Sequence, residues 1–266
     1  MHTVETIAEF LRQFAPPRLA EAWDNVGLLV GDPSRAVRRL MTCLTITPTT
    51  AAEAVDARAD LIVAHHPLPF RPLPRLTTDA PAGRMLLDLI AARIAVYSPH
   101  TAFDSAAQGI NQRLAEGLGL EQIEPLVPNE EGQGTGRWGR IAQGSTLARL
   151  VDRAGEFLSI DRLQYVGDPE QPIHTVAVAC GSAGELLDAA GRLGCDAMLV
   201  GETRFHTCLE AEARGIALVM PGHFASERFA IECLAEVLAG QFPELEVWPS
   251  RQERDPVRWQ PGSDGA

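Results

Sequence analysis

The stretch that most constrains this chain is A-D-L-I-V-A-H-H-P-L-P-F at residues 59–70, where a short apolar run ends abruptly in two histidines and a proline. Four consecutive apolar residues, Leu61 to Ala64, suit a strand buried on both faces, as in a parallel sheet covered by helices. Ligands of open α/β sheets bind outside the carboxyl ends of the strands. His65 and His66 therefore fall where chemistry is done, and neutral imidazole is the commonest metal ligand among side chains. Two polar residues opening a turn before Pro67 are the plainer explanation, so the rest of the sequence must decide.

Before this stretch, apolar residues at 4, 7, 10, 11 and 14 behind Thr3 predict an amphipathic helix over 3–14, stopped by Pro16-Pro17. In W-D-N-V-G-L-L-V-G-D-P, Asp24 and Asn25 read as a turn before a short strand, and Trp23 reads as a core or interface aromatic. Strands are expected at 38–46, 94–98, 138–143, 162–166, 175–179, 196–200 and 216–220. Helices are expected at 49–58, 83–93, 105–118, 146–158, 184–193, 203–214 and 224–238. Five prolines between 67 and 81 make that segment a loop beside the His pair. P-N-E-E-G-Q-G-T-G at 128–136 reads as a linker, and the end beyond Trp248 as frayed.

Alternating strands and helices predict an α/β protein with mainly parallel sheets. An internal repeat sharpens this. A-R-A-D-L-I-V-A-H-H followed by R-I-A-V-Y-S-P-H-T-A-F-D parallels L-G-C-D-A-M-L-V-G-E followed by G-I-A-L-V-M-P-G-H-F-A-S-E. Two related, intertwined lobes facing across one metal-containing cleft are expected. Residues 1–127 plus 216–266 would form the first lobe, with most of the metal ligands, and 128–215 the second.

The formal net charge of −12 argues against nucleic acid and anionic membrane as partners. Every basic residue is arginine, which excludes lysine Schiff-base chemistry and a Walker-type phosphate lysine. The five cysteines are scattered without a C-x-x-C spacing and read as buried thiols in a reducing compartment. No run approaches the ~20 apolar residues of a membrane-spanning helix, and the start lacks a signal-peptide pattern, so a cytoplasmic location is expected.

Candidate metal ligands are His65, His66, Asp104, His223 and Glu227, each at a strand end or in the turn that follows. His223 and Glu227 stand four apart, as do His100 and Asp104, a spacing that puts each pair on one helix face. Three imidazoles and two carboxylates suit zinc, iron or manganese and exceed what one tetrahedral ion needs. Two divalent ions per chain, bridged by a carboxylate, are expected. Glu202 and His206 in G-E-T-R-F-H, with His100, are candidates for acid–base roles. Arg71 and Arg204 are candidates to meet an anionic substrate group.

At these residues the sequence resembles the Nif-three-like proteins, also known as type 2 GTP cyclohydrolase I. The resemblance rests on W-D-N-V-G-L-L-V-G-D-P at 23–33, D-L-I-V-A-H-H-P-L at 60–68, H-T-A-F-D at 100–104, G-E-T-R-F-H at 201–206 and G-H-F-A-S-E at 222–227. It implies a two-lobed α/β fold, a dinuclear site on the five residues above with Glu227 as bridge, and a ring-shaped homohexamer. In two respects the chain departs from the pattern. Thr45 stands in L-T-I-T where the family usually has an acid, and the inserted domain of longer members is missing. The expected function is dinuclear metal-dependent hydrolysis of a small polar substrate, with a purine nucleotide such as GTP implied by the resemblance. The alternative is a non-catalytic, oligomeric metal-binding or metal-handling protein or interaction scaffold.

Overall fold

A computed structural model describes residues 1–129 and 132–258. Two sheets carry the fold. The first orders its strands Glu246–Pro249, Arg39–Cys43, Leu61–Ala64, Ala95–Ser98 and Gly27–Val30. The second orders them Glu121–Pro128, Gly134–Arg140, Thr175–Ala179, Ala197–Val200, Ala217–Met220 and Gln164–Val166. Parallel strands occupy the middle of each sheet, and antiparallel strands close edges of both.

The internal repeat has a physical basis in two aspartates. Asp60 accepts hydrogen bonds from the backbone N–H groups of Arg38 and Arg39, at the start of the neighbouring strand. Asp196 accepts from those of His174 and Thr175 in the same way. Each aspartate registers a central strand against its neighbour, so the matching strand ends of the two sheets carry the matching polar groups.

The sheets face one another across a shared apolar core. Val63 and Tyr97 of the first sheet and Val178 and Leu199 of the second belong to one buried cluster, with Ile231 and Leu234 of helix His223–Gln241 between them. That helix leaves the second sheet at Met220 and delivers strand Glu246–Pro249 to the first, so the chain intertwines the two halves. Outer helices Pro48–Asp56 and Pro81–Ala91 cover the far face of the first sheet, and Leu187–Arg192 and Phe205–Arg214 that of the second.

The expected helix over 3–14 forms at Val4–Phe14, with Thr3 capping it through its hydroxyl. By sheet membership, both Glu121–Pro128 and Ala217–Met220 belong to the second sheet, so the division of strands falls outside the boundaries expected at 127 and 216. Residues 130 and 131 of the expected linker at 128–136 lie outside the described residues, and on either side of them Pro128 and Gly134 pair with each other in a hairpin of Glu121–Pro128 and Gly134–Arg140. Its outer strand is polar and holds Pro125, which an edge strand tolerates and which hides it from a pattern search.

The helix expected over 105–118 is two helices, His100–Ser105 and Ile110–Gly117. The break frees the carbonyls of Ser105 and Ala106 to accept from the guanidinium of buried Arg137 at 3.0 Å each. Nor is the chain loose directly beyond Trp248. Ser250 and Glu253 are buried, and the Glu253 carboxylate accepts from the backbone N–H groups of Leu44 and Thr45 while Arg228 pairs with it at 3.0 Å. Residues 259–266 lie outside the described residues.

Candidate metal centre

Four strand ends converge at the seam between the sheets. Leu61–Ala64 delivers His65 and His66, Ala95–Ser98 leads into helix His100–Ser105 with Asp104, and Ala217–Met220 leads into the helix that begins at His223. Glu227 follows one turn later, almost wholly buried. Ala197–Val200 ends at Gly201 and Glu202.

Glu227 is the centre of the group. Its Oε2 lies 3.1 Å from His223 Nε2 and 3.2 Å from His66 Nε2, and those two nitrogens are 3.4 Å apart. Its Oε1 faces the other way, 3.9 Å from His65 Nε2, which is 3.6 Å from Asp104 Oδ1. The structure thus brings together all five residues singled out from spacing. One carboxylate divides them into a trio with His66 and His223 and a second set with His65 and Asp104.

These groups fit metal ions better than they fit each other. Glu227 Oε2 makes no hydrogen bond despite its two close nitrogens, and both ring nitrogens of buried His65 are unpaired. Leaving such groups unpaired costs ~1–3 kcal/mol each, a cost that a ligated cation removes. Distances agree. In a tetrahedral shell with bonds of ~2.0–2.1 Å, neighbouring donors are ~3.3 Å apart, close to the 3.1, 3.2 and 3.4 Å of the trio. The His65 and Asp104 set is more open.

Outer partners aim the imidazoles. Thr45 Oγ1 lies 2.7 Å from His66 Nδ1, Glu202 Oε1 accepts from His223 Nδ1 at 2.9 Å, and Asp24 Oδ1 accepts from His100 Nδ1 at 2.7 Å. With Nδ1 carrying the proton, Nε2 presents its lone pair, which is the usual arrangement behind a metal-bound histidine. Thr45 therefore orients the His66 ring, through a hydroxyl that can either accept from or donate to Nδ1. If His66 holds an ion, Thr45→Val is expected to weaken its binding roughly 10- to 100-fold, while Thr45→Ser retains it, as read by competition with a chelating dye.

Charge is held under tension here. Burial pushes the Asp104 carboxyl up, and the charge of Glu227 adds to it, so that it titrates at about 7. Burial also pushes on Glu227, but its contacts with His223 and His66 win and hold it well below the ordinary carboxylate range. The close approach of the Glu227 carboxylate raises His223 to about 9 against the opposing effect of burial. Burial drives His65 well below the ordinary imidazole range. Both raised groups hold protons at pH 6.5 that ligation displaces. Filling the cluster should release on the order of two protons per chain at pH 6.5 and few above pH 9, measured as acid release in weak buffer.

Two residues escaped notice in the sequence. Asp24 fixes His100 and also accepts from the backbone N–H of Thr101; burial works against its ionisation, yet these bonds hold its carboxyl at about 2. Cys180 donates its S–H to Asp104 Oδ1 at 3.2 Å. His100 joins His65 and His66 in a trio whose donor atoms lie within 4.8 Å of one another. Glu202 is bound to His223 and so positions a candidate ligand, whereas His206 is exposed against Phe205 and lines neither of the two cavities that border the cluster. Arg71 and Arg204 are also exposed and line neither.

One cavity of about 650 Å³ opens on His66, His100, Asp104, His223 and Glu227, and another of about 560 Å³ reaches His66 and His223 past Thr45 and Glu202. No helix among the described residues is long and apolar enough to cross a membrane. Fold and cluster together define the class: a two-lobed α/β protein whose strand ends enclose a buried histidine–carboxylate centre. The chain belongs to the Duf34/NIF3 (NGG1p interacting factor 3) family, whose model matches residues 2–256. It is 32% identical over 247 residues to a "GTP cyclohydrolase 1 type 2 homolog" of Clostridium acetobutylicum, covering 92% of each chain. It is 34% identical over 259 residues to a "Protein NIF3 homolog" of Schizosaccharomyces pombe, covering 91% of this chain and 92% of that one. Among solved structures, a Bacillus cereus protein related to NIF3 superposes with a TM-score of 0.89 at 21% identity, over 98% of this chain and 99% of that one, a likeness of fold alone.

Proposed function

We propose that this protein is a metal-dependent hydrolase of a small polar substrate, with two divalent ions, zinc, iron or manganese, held by His65, His66, Asp104, His223 and Glu227. The observation that carries this reading is the placement of Glu227, one carboxylate with a different set of donors at each oxygen. Ions bound there would lower the pKa of water toward neutrality and polarise the bond under attack. The chain's own residues do the rest. Thr45 orients the His66 ring, Glu202 holds His223 in the tautomer that leaves Nε2 free, and Asp24 does the same for His100. His100, on the wall of the larger cavity, is then the group placed to take or give a proton at Nε2. His206 has no such position.

The name of the curated relatives brings a purine nucleotide such as GTP to this chain as candidate substrate. Water would add at the carbon between the two imidazole-ring nitrogens, one C–N bond would break, and the departing nitrogen would take the proton. The assembly belongs to the same reading: a homohexamer, supported by the exposed apolar side chains of Phe205 and Leu209. Sedimentation at six times the 28.7 kDa chain mass is expected.

The decisive experiment is metal analysis of the purified protein, followed by a nucleotide panel with each metal restored. Turnover that His65→Ala and Glu227→Ala abolish supports the reading. Bound metal with no turnover on any member of the panel would favour the metal-handling alternative.

A further inference from the structure

The larger cavity has a rim that the proposed chemistry does not use. Trp23 is 63% exposed and Phe70 47% exposed, so Trp23 is not a core aromatic of this chain. Their ring centroids are 5.9 Å apart, and each lies 5.9 Å from that of His100 and nearly perpendicular to it. His100 in turn lies 5.1 Å from His65 and 5.6 Å from His66. An exposed aromatic pair thus continues, ring by ring, into the metal centre.

The pair is held in place. Asn25 Nδ2 donates to the carbonyl of Pro69 at 2.9 Å, tying the turn that carries Trp23 to the loop that carries Phe70. Asp24, between Trp23 and Asn25, anchors the same turn to His100 and Thr101. The tripeptide W-D-N therefore has three separate duties: an exposed ring, an orienting acid and a loop tie. A large apolar ring kept in water on a rigid support is uncommon without something to cover it.

What covers it is limited by charge. Among the described residues no arginine lines either cavity at the centre, and the chain has no lysine. Buried Arg137 is already occupied by the carbonyls of Ser105, Ala106, Gly134 and Gly136. Glu21 and Glu185 add negative charge to the lining. A phosphate chain thus finds no cationic side chain here, while a flat ring finds two.

We infer that Trp23 and Phe70 form a stacking subsite for a planar, neutral or cationic heteroaromatic ring, which this chain recognises independently of any phosphates that metal ions at the centre would meet. The inference rests on the hydrolase reading for the fate of the ligand but not for its binding. The 5.9 Å between the two rings is too close to sandwich a third, which needs ~7 Å, so the ligand lies on their open faces toward the cavity.

The test is calorimetric titration of the metal-loaded protein with guanosine and ribose. Ribose, which lacks the ring and carries no phosphate, should bind at least about tenfold more weakly than guanosine. Trp23→Ala should weaken guanosine about 5- to 150-fold, the range for loss of one stacked base, with metal content unchanged, and Trp23→Phe should largely restore it. Ribose binding as well as guanosine would overturn the inference. So would guanosine binding that is undiminished in Trp23→Ala, or a variant that changes only the sedimentation of the protein. Guanosine binding that depends on Trp23 without turnover of any nucleotide would sustain the subsite and sink the hydrolase. Turnover of other substrates with no guanosine binding would do the reverse.

Discussion

Glu227→Gln should empty both halves of the centre at once. The side chain keeps its size and burial but loses its charge and one of its two acceptor oxygens, and each oxygen faces a different set of donors. Metal content should fall from about two ions per chain toward none, with an affinity loss beyond the ~10- to 100-fold typical of an outer partner. The flanking ligands should behave otherwise. His223→Ala should remove the ion beside Oε2 and leave the other, and Asp104→Asn should do the converse, because only His65 connects Asp104 to Glu227. Metal-to-chain ratios from elemental analysis read all three variants, and thermal melting confirms that each folds. Equal loss in all three would mean a single shared ion.

Gly181→Ala should be nearly as damaging, for a reason of space. An added Cβ would lie 2.4 Å from Glu227 Oε1, and the backbone there has φ +63°, which a side chain disfavours by ~1–2 kcal/mol. The neighbouring chain cannot easily yield, because the Gly181 N–H donates to buried Ser226 Oγ, one residue before Glu227. The carboxylate would have to turn away from His65. Loss of metal together with a melting point lower by several degrees is expected. An unchanged metal content would show that the orientation of Glu227 is not critical.

Much of this centre was legible in the sequence because its primary groups obey local rules. His65 and His66 end an apolar run, and His223 and Glu227 share a helix face at four-residue spacing. Such patterns depend only on neighbours in the chain. Asp24, Thr45, Cys180 and Gly181 followed no local rule. Thr45 meets His66 because Arg39–Cys43 lies parallel to Leu61–Ala64 with Cys43 opposite Ala64, a register that sequence spacing does not set. Asp24 reaches His100 across 76 residues, Cys180 reaches Asp104 across the same distance, and both contacts exist only once the halves are packed.

Pattern reading also failed where polar sequence is buried or paired. The outer hairpin strand Glu121–Pro128 is mostly polar, and the tail segment is buried not by apolar character but by Glu253 meeting two backbone N–H groups and Arg228. Of the two readings of Trp23, core or interface aromatic, the core one fails, since the ring is exposed and faces a cavity.

The central claim is that two cations share Glu227. Crystals of the protein loaded with zinc, iron or manganese test it through anomalous scattering at the absorption edge of that metal. Two peaks ~3.5–4 Å apart are predicted, one against Oε2 with His66 and His223 and the other against Oε1 with His65 and Asp104. A lone peak, or a pair that leaves Glu227 untouched, would contradict the account.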